Sequence, residues 1–370
     1  MKKVLMISTD RQILDGMSPV ALRMREYAEV FGELHIIVFS TTGTDRVELS
    51  PKCFVYPTGS STRYTYIFDG VRIGASIMRN TSSENGDWVI TTQDPFETGI
   101  VGLFLARKYK VAINVQIHTD FLSPYFTRNS KLNTVRRFLA RYVLPRATSI
   151  RVVSERIRAS LLQITSYKPA SSHITVLPIY SEETVIATAP QSDRFPQFDK
   201  VVLMVSRLEP EKDIEMALRA FAIAEKSSAK TGLVIAGAGS EEASLMHIAQ
   251  ELGIEDRVIF LGWKNASDLA ILRASSDVFL STSLYEGYGL SLIEAVQAGL
   301  PIVSTDVGIA PELLQRDRLA EPGDADAVAR LLAEALHHPE GFRVNREAIA
   351  RVTCLSKDDF MEKLKASLLI

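Results

Sequence analysis

Cysteine is nearly absent from this 370-residue chain: Cys53 and Cys354 are the only two, and they lie far apart in sequence. Two thiols so placed build neither a disulfide framework nor a cysteine-rich metal site, and they fit a reducing, cytoplasmic setting. No stretch reaches the roughly 18 apolar residues of a spanning helix. After Lys2, Lys3 and VLMIS, the polar Thr9, Asp10 and Arg11 cut the first apolar run short of a signal-peptide core. Any membrane contact is therefore expected to be peripheral. AGAGSEE, residues 236–242, offers Gly237 and Gly239 but lacks the third glycine of a dinucleotide fingerprint. It marks a tight turn better than an NAD site.

What is present describes a soluble α/β protein. Hydrophobic residues make up 46% and charged residues 23%, with mean hydropathy +0.07. The length suits two domains of about 150 to 200 residues. The net charge of −2 hides an asymmetry: residues 1–190 hold 23 Lys+Arg against 16 Asp+Glu, and the remainder 19 against 28. The two halves are expected to face different partners, neither of them a nucleic acid.

The most informative stretch is DVFLSTSLYEGYGLSLIEAVQAGLPIVST, residues 277–305. An apolar run, a loop with Gly287 and Gly289, a helical pattern from about Ser291 and a stop at Gly299 and Pro301 read as strand, loop, helix, strand. That unit sets a helix N-terminus at the carboxyl edge of a parallel sheet, where unpaired amides favour a phosphate. Glu286 and Glu294 frame it. Carboxylates accept hydrogen bonds from sugar hydroxyls, and the amides between them can face phosphate oxygens. Two blander readings stand beside this one: Ser291 and Glu294 form an S-x-x-E capping box, and Glu286 is a solvated loop acid.

This stretch resembles the Glu-x7-Glu signature of retaining glycosyltransferases of the family 4 type, also called glycosyl transferases group 1. VSRLEPEKDIEMALRAF (205–221), LVIAGAGSEEASL (233–245), VIFLGW (258–263), LAILRASSDVFLSTSLYEG (269–287) and EPGDADAVARLL (321–332) resemble that family's successive blocks in the same order. The resemblance is close in the C-terminal half and looser in the N-terminal half. It implies the GT-B fold, two Rossmann-like domains facing a central cleft. The expected divisions are an N-terminal acceptor-binding domain over 1–185, a linker over 186–199, a nucleotide-sugar-binding domain over 200–350 and a terminal helical segment over 351–370 that packs back on the first domain.

By the same resemblance the co-substrate is a nucleoside diphosphate sugar, with no further cofactor. Arg207 and Lys212 hold its diphosphate, Glu294 the ribose hydroxyls and Glu286 the hydroxyls of the transferred sugar. Backbone amides from Gly287 through Tyr288 and Gly289 to Leu290 add donors to the diphosphate. On local grounds alone, Arg207 and Lys212 could instead pair with Glu209, Glu211 or Asp213, and Asp213 departs from the glycine common at its position. His118, at the end of the strand VAINVQIHTD, matches a histidine that touches the transferred sugar, with Asp120 beside it. Only Gly16 stands for the small glycines of the family's first loop. Ile179 and Tyr180 replace its usual Asn-Gly.

Asp324-Ala-Asp326 looks like a metal-binding Asp-x-Asp, but it follows Pro322 and Gly323 and opens a helix, so N-capping explains it better. No essential metal is expected. Residues 121–158 carry eight arginines and Lys131 against Glu155 alone, with Val135, Phe138, Leu139, Tyr142 and Val143 at helical spacing. The basic run 128–158 is either a solvated face or a surface for an anionic membrane. The resulting expectation is a metal-independent, retaining hexosyltransferase acting on a glycan, lipid-linked or small-molecule acceptor. A GT-B nucleotide-sugar 2-epimerase and a non-catalytic nucleotide-sugar-binding protein are the alternatives.

Overall fold

Parallel strands covered on both faces read as continuous apolar runs, and such runs build both sheets of this protein. The computed structural model describes residues 2–43, 45–80, 88–128, 130–163, 173–180, 195–224, 230–353 and 356–368. Most of the expected linker, up to residue 194, lies outside them, as does Cys354. The chain divides into two compact units. One comprises Met1–Leu122, Ser130–Pro178 and Leu355–Ile370; the other comprises Ser123–Asn129 and Ile179–Cys354.

The first unit is built on β1 (Lys3–Ser8), β2 (Glu33–Val38), β3 (Val47–Ser50), β4 (Cys53–Pro57), β5 (Trp88–Thr92), β6 (Ala112–Ile117), β7 (Ser149–Val152) and β8 (His173–Val176). Their order in the sheet is β3-β4-β2-β1-β5-β6-β7-β8, parallel throughout except for β3 against β4. The helices α1 (Pro19–Phe31), α2 (Tyr66–Asn80), α3 (Glu97–Tyr109), α4 (Lys131–Val143) and α5 (Glu155–Gln163) connect them. Ser18 caps α1 by accepting from the Ala21 amide at 3.1 Å, with Pro19 at the first helical position. Residues 41–80 carry no element in the sequence reading, yet they supply β3, β4 and α2. Gly70 and Gly74 weaken the helical signal of α2. The fold uses Gly74 for close packing, because a Cβ there would stand 2.4 Å from Leu105 of α3.

The second unit holds β9 (Lys200–Val205), β10 (Thr231–Ala236), β11 (Val258–Phe260), β12 (Val278–Ser281), β13 (Ile302–Thr305) and β14 (Leu319–Ala320), all parallel in the order β11-β10-β9-β12-β13-β14. Its helices are α6 (Ile214–Ala224), α7 (Glu242–Glu251), α8 (Ala266–Ala274), α9 (Leu290–Gln297), α10 (Ala310–Leu313), α11 (Ala325–His337) and α12 (Arg346–Thr353). Ile214, Ala217 and Phe221 of α6 share one buried cluster with Val328, Leu332 and Leu336 of α11 and with Val202, Leu233 and Leu280 of the strands. Each large apolar side chain buried in this way contributes about 1.5 to 3 kcal/mol.

The last helix, α13 (Lys357–Leu368), packs within the first unit against α1, β6 and β7. Phe360 and Leu364 are buried, Lys357 pairs with Glu26 at 2.7 Å, and the Ser367 carbonyl accepts from Asn114 Nδ2 at 3.0 Å. A helix end that accepts hydrogen bonds from the sheet is seated in one register.

Candidate active site

In the second unit, the sheet order reverses at β9, which has β10 on one side and β12 on the other. Loops leaving the carboxyl ends of β9 and β12 therefore border one crevice. The Leu284 amide donates to the Glu211 carbonyl at 2.8 Å, and Thr282 Oγ1 donates to the carbonyls of Lys212 and Asp213 at 3.0 Å each. The Lys212 ammonium then donates to Glu286 Oε1, which also accepts from Ser283 Oγ at 2.9 Å. Lys212 thus finds its partner across the loops and not among its neighbours Glu209, Glu211 and Asp213. Asp213 has a left-handed backbone, φ 46° and ψ 51°, a conformation glycine adopts freely and Asp tolerates. Burial, reinforced by Glu215, raises its carboxyl, while the Met216 amide and Arg128 oppose the shift.

Arg207 meets its local neighbour: its Nη2 lies 2.5 Å from Glu211 Oε1 with 69% of the side chain exposed. A surface pair of this kind contributes only about 0 to 1 kcal/mol, so the guanidinium is cheaply redirected. The loop after β10 supports it from below. Ser206 and Leu208 donate to the carbonyls of Ala236 and Ala238 at 3.1 and 3.0 Å. Gly237 sits at φ 153°, and a Cβ there would lie 1.8 Å from the Ser206 carbonyl oxygen. Only a glycine lets the two loops approach this closely.

Helix α9 begins at Leu290 with Gly289 as its N-cap, φ 98°, and no side-chain cap. The capping-box reading of Ser291 and Glu294 is therefore not what forms. Glu294 Oε2 instead accepts from Arg273 Nη1 of α8 at 2.9 Å, and the arginine is only 4% exposed. Burial raises the Glu294 carboxyl and Arg273 partly offsets it. Tyr288 turns inward, its hydroxyl donating to the Val352 carbonyl at 3.2 Å, so this residue offers the loop only its backbone. The first amides of α9 have no acceptor within the helix.

In the first unit, His118 follows β6 directly. Its Nε2 lies 3.0 Å from Gln116 Oε1. Burial, then Arg151 and Arg23, hold the imidazole down to about 3, so it is neutral at ordinary pH. Asp120 is buried and pairs with Arg156 at 3.6 Å. Gly16 shows no steric need for glycine: a Cβ would meet Leu49 at an ordinary 3.6 Å. Asp324 caps α11 by accepting from the Ala327 amide at 2.9 Å, and Asp326 follows it within the helix. Among the described residues no group of three or more His, Cys, Asp or Glu could hold a metal ion.

The structure thus brings Lys212 and Glu286 into contact, seats Arg207 on the adjacent loop and ties Glu294 down. Sequence reasoning did not single out Arg273, Ser283 or Thr282. One signal was available for Arg273, a lone charge inside the apolar run LAILRASSDVF, where an unpaired arginine would be costly to bury.

Residues 185–351 match the family described as glycosyl transferases group 1. The second unit carries a group 1 glycosyltransferase domain. Among relatives, the alpha-monoglucosyldiacylglycerol synthase of Streptococcus pneumoniae is 29% identical over 239 residues, 58% of this chain and 51% of that protein. The N-acetyl-alpha-D-glucosaminyl L-malate synthase of Bacillus anthracis is 36% identical over 160 residues, 41% of each. The chain therefore spans about half or less of the length of these relatives. The fold reaches further than the sequence. Sucrose-phosphate synthase from Thermosynechococcus elongatus superposes with a TM-score of 0.80 at 20% identity, covering 99% of this chain and 98% of that one. Anabaena HepE in complex with UDP and glucose gives 0.71 at 17% identity, covering 99% and 98%. The group 1 domain and the first unit together make the GT-B fold.

Proposed function

We propose that this protein transfers a hexosyl group from a nucleoside diphosphate sugar to a glycan, lipid-linked or small-molecule acceptor, with retention of anomeric configuration and without an essential metal. The observation that carries the proposal is the Lys212–Glu286 contact at the β9–β12 switch point, with Arg207 on the adjacent loop, inside a group 1 domain. The solved HepE complex with UDP and glucose, on the same fold, supports a donor of this class.

In this reading the loosely held Arg207 swings to the diphosphate, and Lys212 exchanges its carboxylate partner for phosphate oxygens. Glu286 is then released to accept from hydroxyls of the sugar, and Glu294, fixed by Arg273, accepts from the ribose. The amides of α9 add donors to the same diphosphate. Catalysis is electrostatic stabilisation of the departing nucleotide by preorganised donors.

The acceptor side carries a second feature. On α4 Val143 is buried, but Phe138 is 66% exposed, and Leu132, Val135 and Tyr142 are also exposed, amid Lys131, Arg137 and Arg141. An apolar face ringed by cations suits an anionic bilayer, which supports peripheral attachment at a cytoplasmic membrane face. No described helix is long and apolar enough to span one.

The test of the activity is turnover of UDP-, GDP- and ADP-hexoses in the presence and absence of lipid and glycan acceptors, with EDTA, reading the anomeric configuration of the product by NMR. A retained glycoside supports the proposal. Conversion of the donor sugar without any acceptor would make the protein an epimerase instead.

A further inference from the structure

A chain of side-chain hydrogen bonds crosses the buried face of the first unit's sheet, and its polarity is fixed from both ends. At one end the Ser367 carbonyl of α13 can only accept, so the Asn114 amide that meets it at 3.0 Å presents nitrogen there and oxygen to Thr91, 3.3 Å away. Thr91 Oγ1 donates to that oxygen and accepts from Gln116 Nε2 at 2.9 Å. Gln116 must then turn its oxygen the other way. At the far end stands Arg151, which has donors and no acceptor, and its Nη1 lies 3.1 Å from Gln116 Oε1. The two anchors agree on one orientation of the Gln116 amide.

That orientation decides the state of His118. Its Nε2 shares the same Gln116 oxygen, an acceptor, so Nε2 carries the hydrogen. Arg151 is itself an unusual element. It is 4% exposed, its other donors reach the carbonyls of Leu177 (3.4 and 3.3 Å) and Pro178 (3.3 Å), and it lies over the Phe360 ring at 5.6 Å. No described residue forms an ion pair with it, and the nearby Asp120 is held by Arg156. A buried cation without a carboxylate is costly; tying down two carbonyls does not require a full charge.

We propose that Arg151 is a positioning residue for His118: through Gln116 it fixes the ring as the neutral Nε2–H tautomer and leaves Nδ1 as a bare acceptor. A ring in that form receives a hydrogen bond from a hydroxyl and does not donate one through Nδ1, which on the glycosyltransferase reading suits a sugar hydroxyl. A sugar presenting a carboxylate or an ether oxygen at that position has nothing to give Nδ1. The other groups facing the ring act in the same direction: Arg23 from α1 and Arg151 from β7 both disfavour an imidazolium, and the Asp120–Arg156 pair presents no free acid.

Histidine-selective 15N labelling of the full chain tests this without reference to turnover, because six rings are present and His118→Gln assigns the one of interest. The expected spectrum shows Nε2 protonated and Nδ1 bare from pH 8 down to pH 5. Arg151→Met should mix the tautomers, Arg151→Lys should partly restore the single form, and kcat in Arg151→Met should fall about tenfold with KM for the donor little changed. Gln116→Glu keeps the side-chain shape and a partner for Arg151, so it serves if Arg151→Met does not fold. In that variant the side-chain oxygens can only accept, so the ring should keep its hydrogen on Nε2. An Nδ1–H ring or an imidazolium in the wild type overturns the proposal, as does an unchanged tautomer in folded Arg151→Met or a ring lacking the Nε2 hydrogen in Gln116→Glu. If the spectra agree and no sugar is turned over, the tautomer assignment stands and the glycosyltransferase reading fails.

Discussion

Arg273 on α8 and Glu294 on α9 are bonded at 2.9 Å, the arginine almost wholly buried and the carboxylate only partly so. The pair fixes one oxygen of Glu294 from behind. In the proposed function this acid accepts from two adjacent hydroxyls and gains from such a restraint, since a freely rotating carboxylate would lose entropy on binding.

Breaking this pair is the first prediction. Arg273→Met should destabilise the fold by about 3 kcal/mol, because it breaks an ion pair whose arginine is buried and leaves a partly buried carboxylate without its cation, and should weaken nucleotide binding as well. The pH dependence follows from the raised Glu294 carboxyl. A carboxyl raised on folding makes the folded state hold more protons than the unfolded one, so stability falls as pH rises from the unfolded value, about 4.3, through the folded one. Loss of Arg273 enlarges the shift. The stability deficit of Arg273→Met in urea should therefore be greatest near pH 7 and shrink towards pH 4; a deficit that grows on acidification would contradict the assignment.

Arg207 separates catalysis from folding. Its side chain is mostly exposed and its partner Glu211 is a surface one, so Arg207→Ala should leave the melting temperature nearly unchanged. Turnover should nevertheless fall by about 10² to 10³, as for a lost donor to developing charge. Full activity in the folded variant would remove Arg207 from the mechanism.

Gly237 tests the support of that arginine. A Cβ 1.8 Å from the Ser206 carbonyl cannot be accommodated without moving one loop. Gly237→Ala should destabilise the protein by about 1 to 3 kcal/mol and reduce turnover beyond what the stability loss explains. An unperturbed variant would show that the loop contact is not needed.

These sites differ in how far the sequence discloses them. The strand, loop and helix around Glu286 are readable because apolar runs and punctuating glycines lie within thirty residues. The contact of Lys212 with Glu286 is not, since 74 residues separate them and the near acids Glu209 and Glu211 compete on paper. Ser291 and Glu294 mimic a capping box, yet Gly289 starts the helix and a buried arginine from another helix takes the acid. The same limit applies to α4: periodicity identifies the helix but not which face the sheet covers, and Phe138 faces outward. Replacing Phe138 and Val135 with Asp should abolish flotation with anionic liposomes without changing turnover of a soluble acceptor. Equal flotation on neutral lipid would contradict an electrostatic surface.

The most direct test of the donor site is thermal unfolding with UDP, GDP, ADP and their hexose conjugates, comparing wild type with Lys212→Met and Glu294→Ala. A ligand at 100 times its Kd adds about 2.7 kcal/mol to the folded state. One nucleotide should raise the wild-type melting temperature selectively and lose that effect in both variants. No shift from any nucleotide, or a shift that survives both substitutions, would contradict a donor site at the β9–β12 crevice.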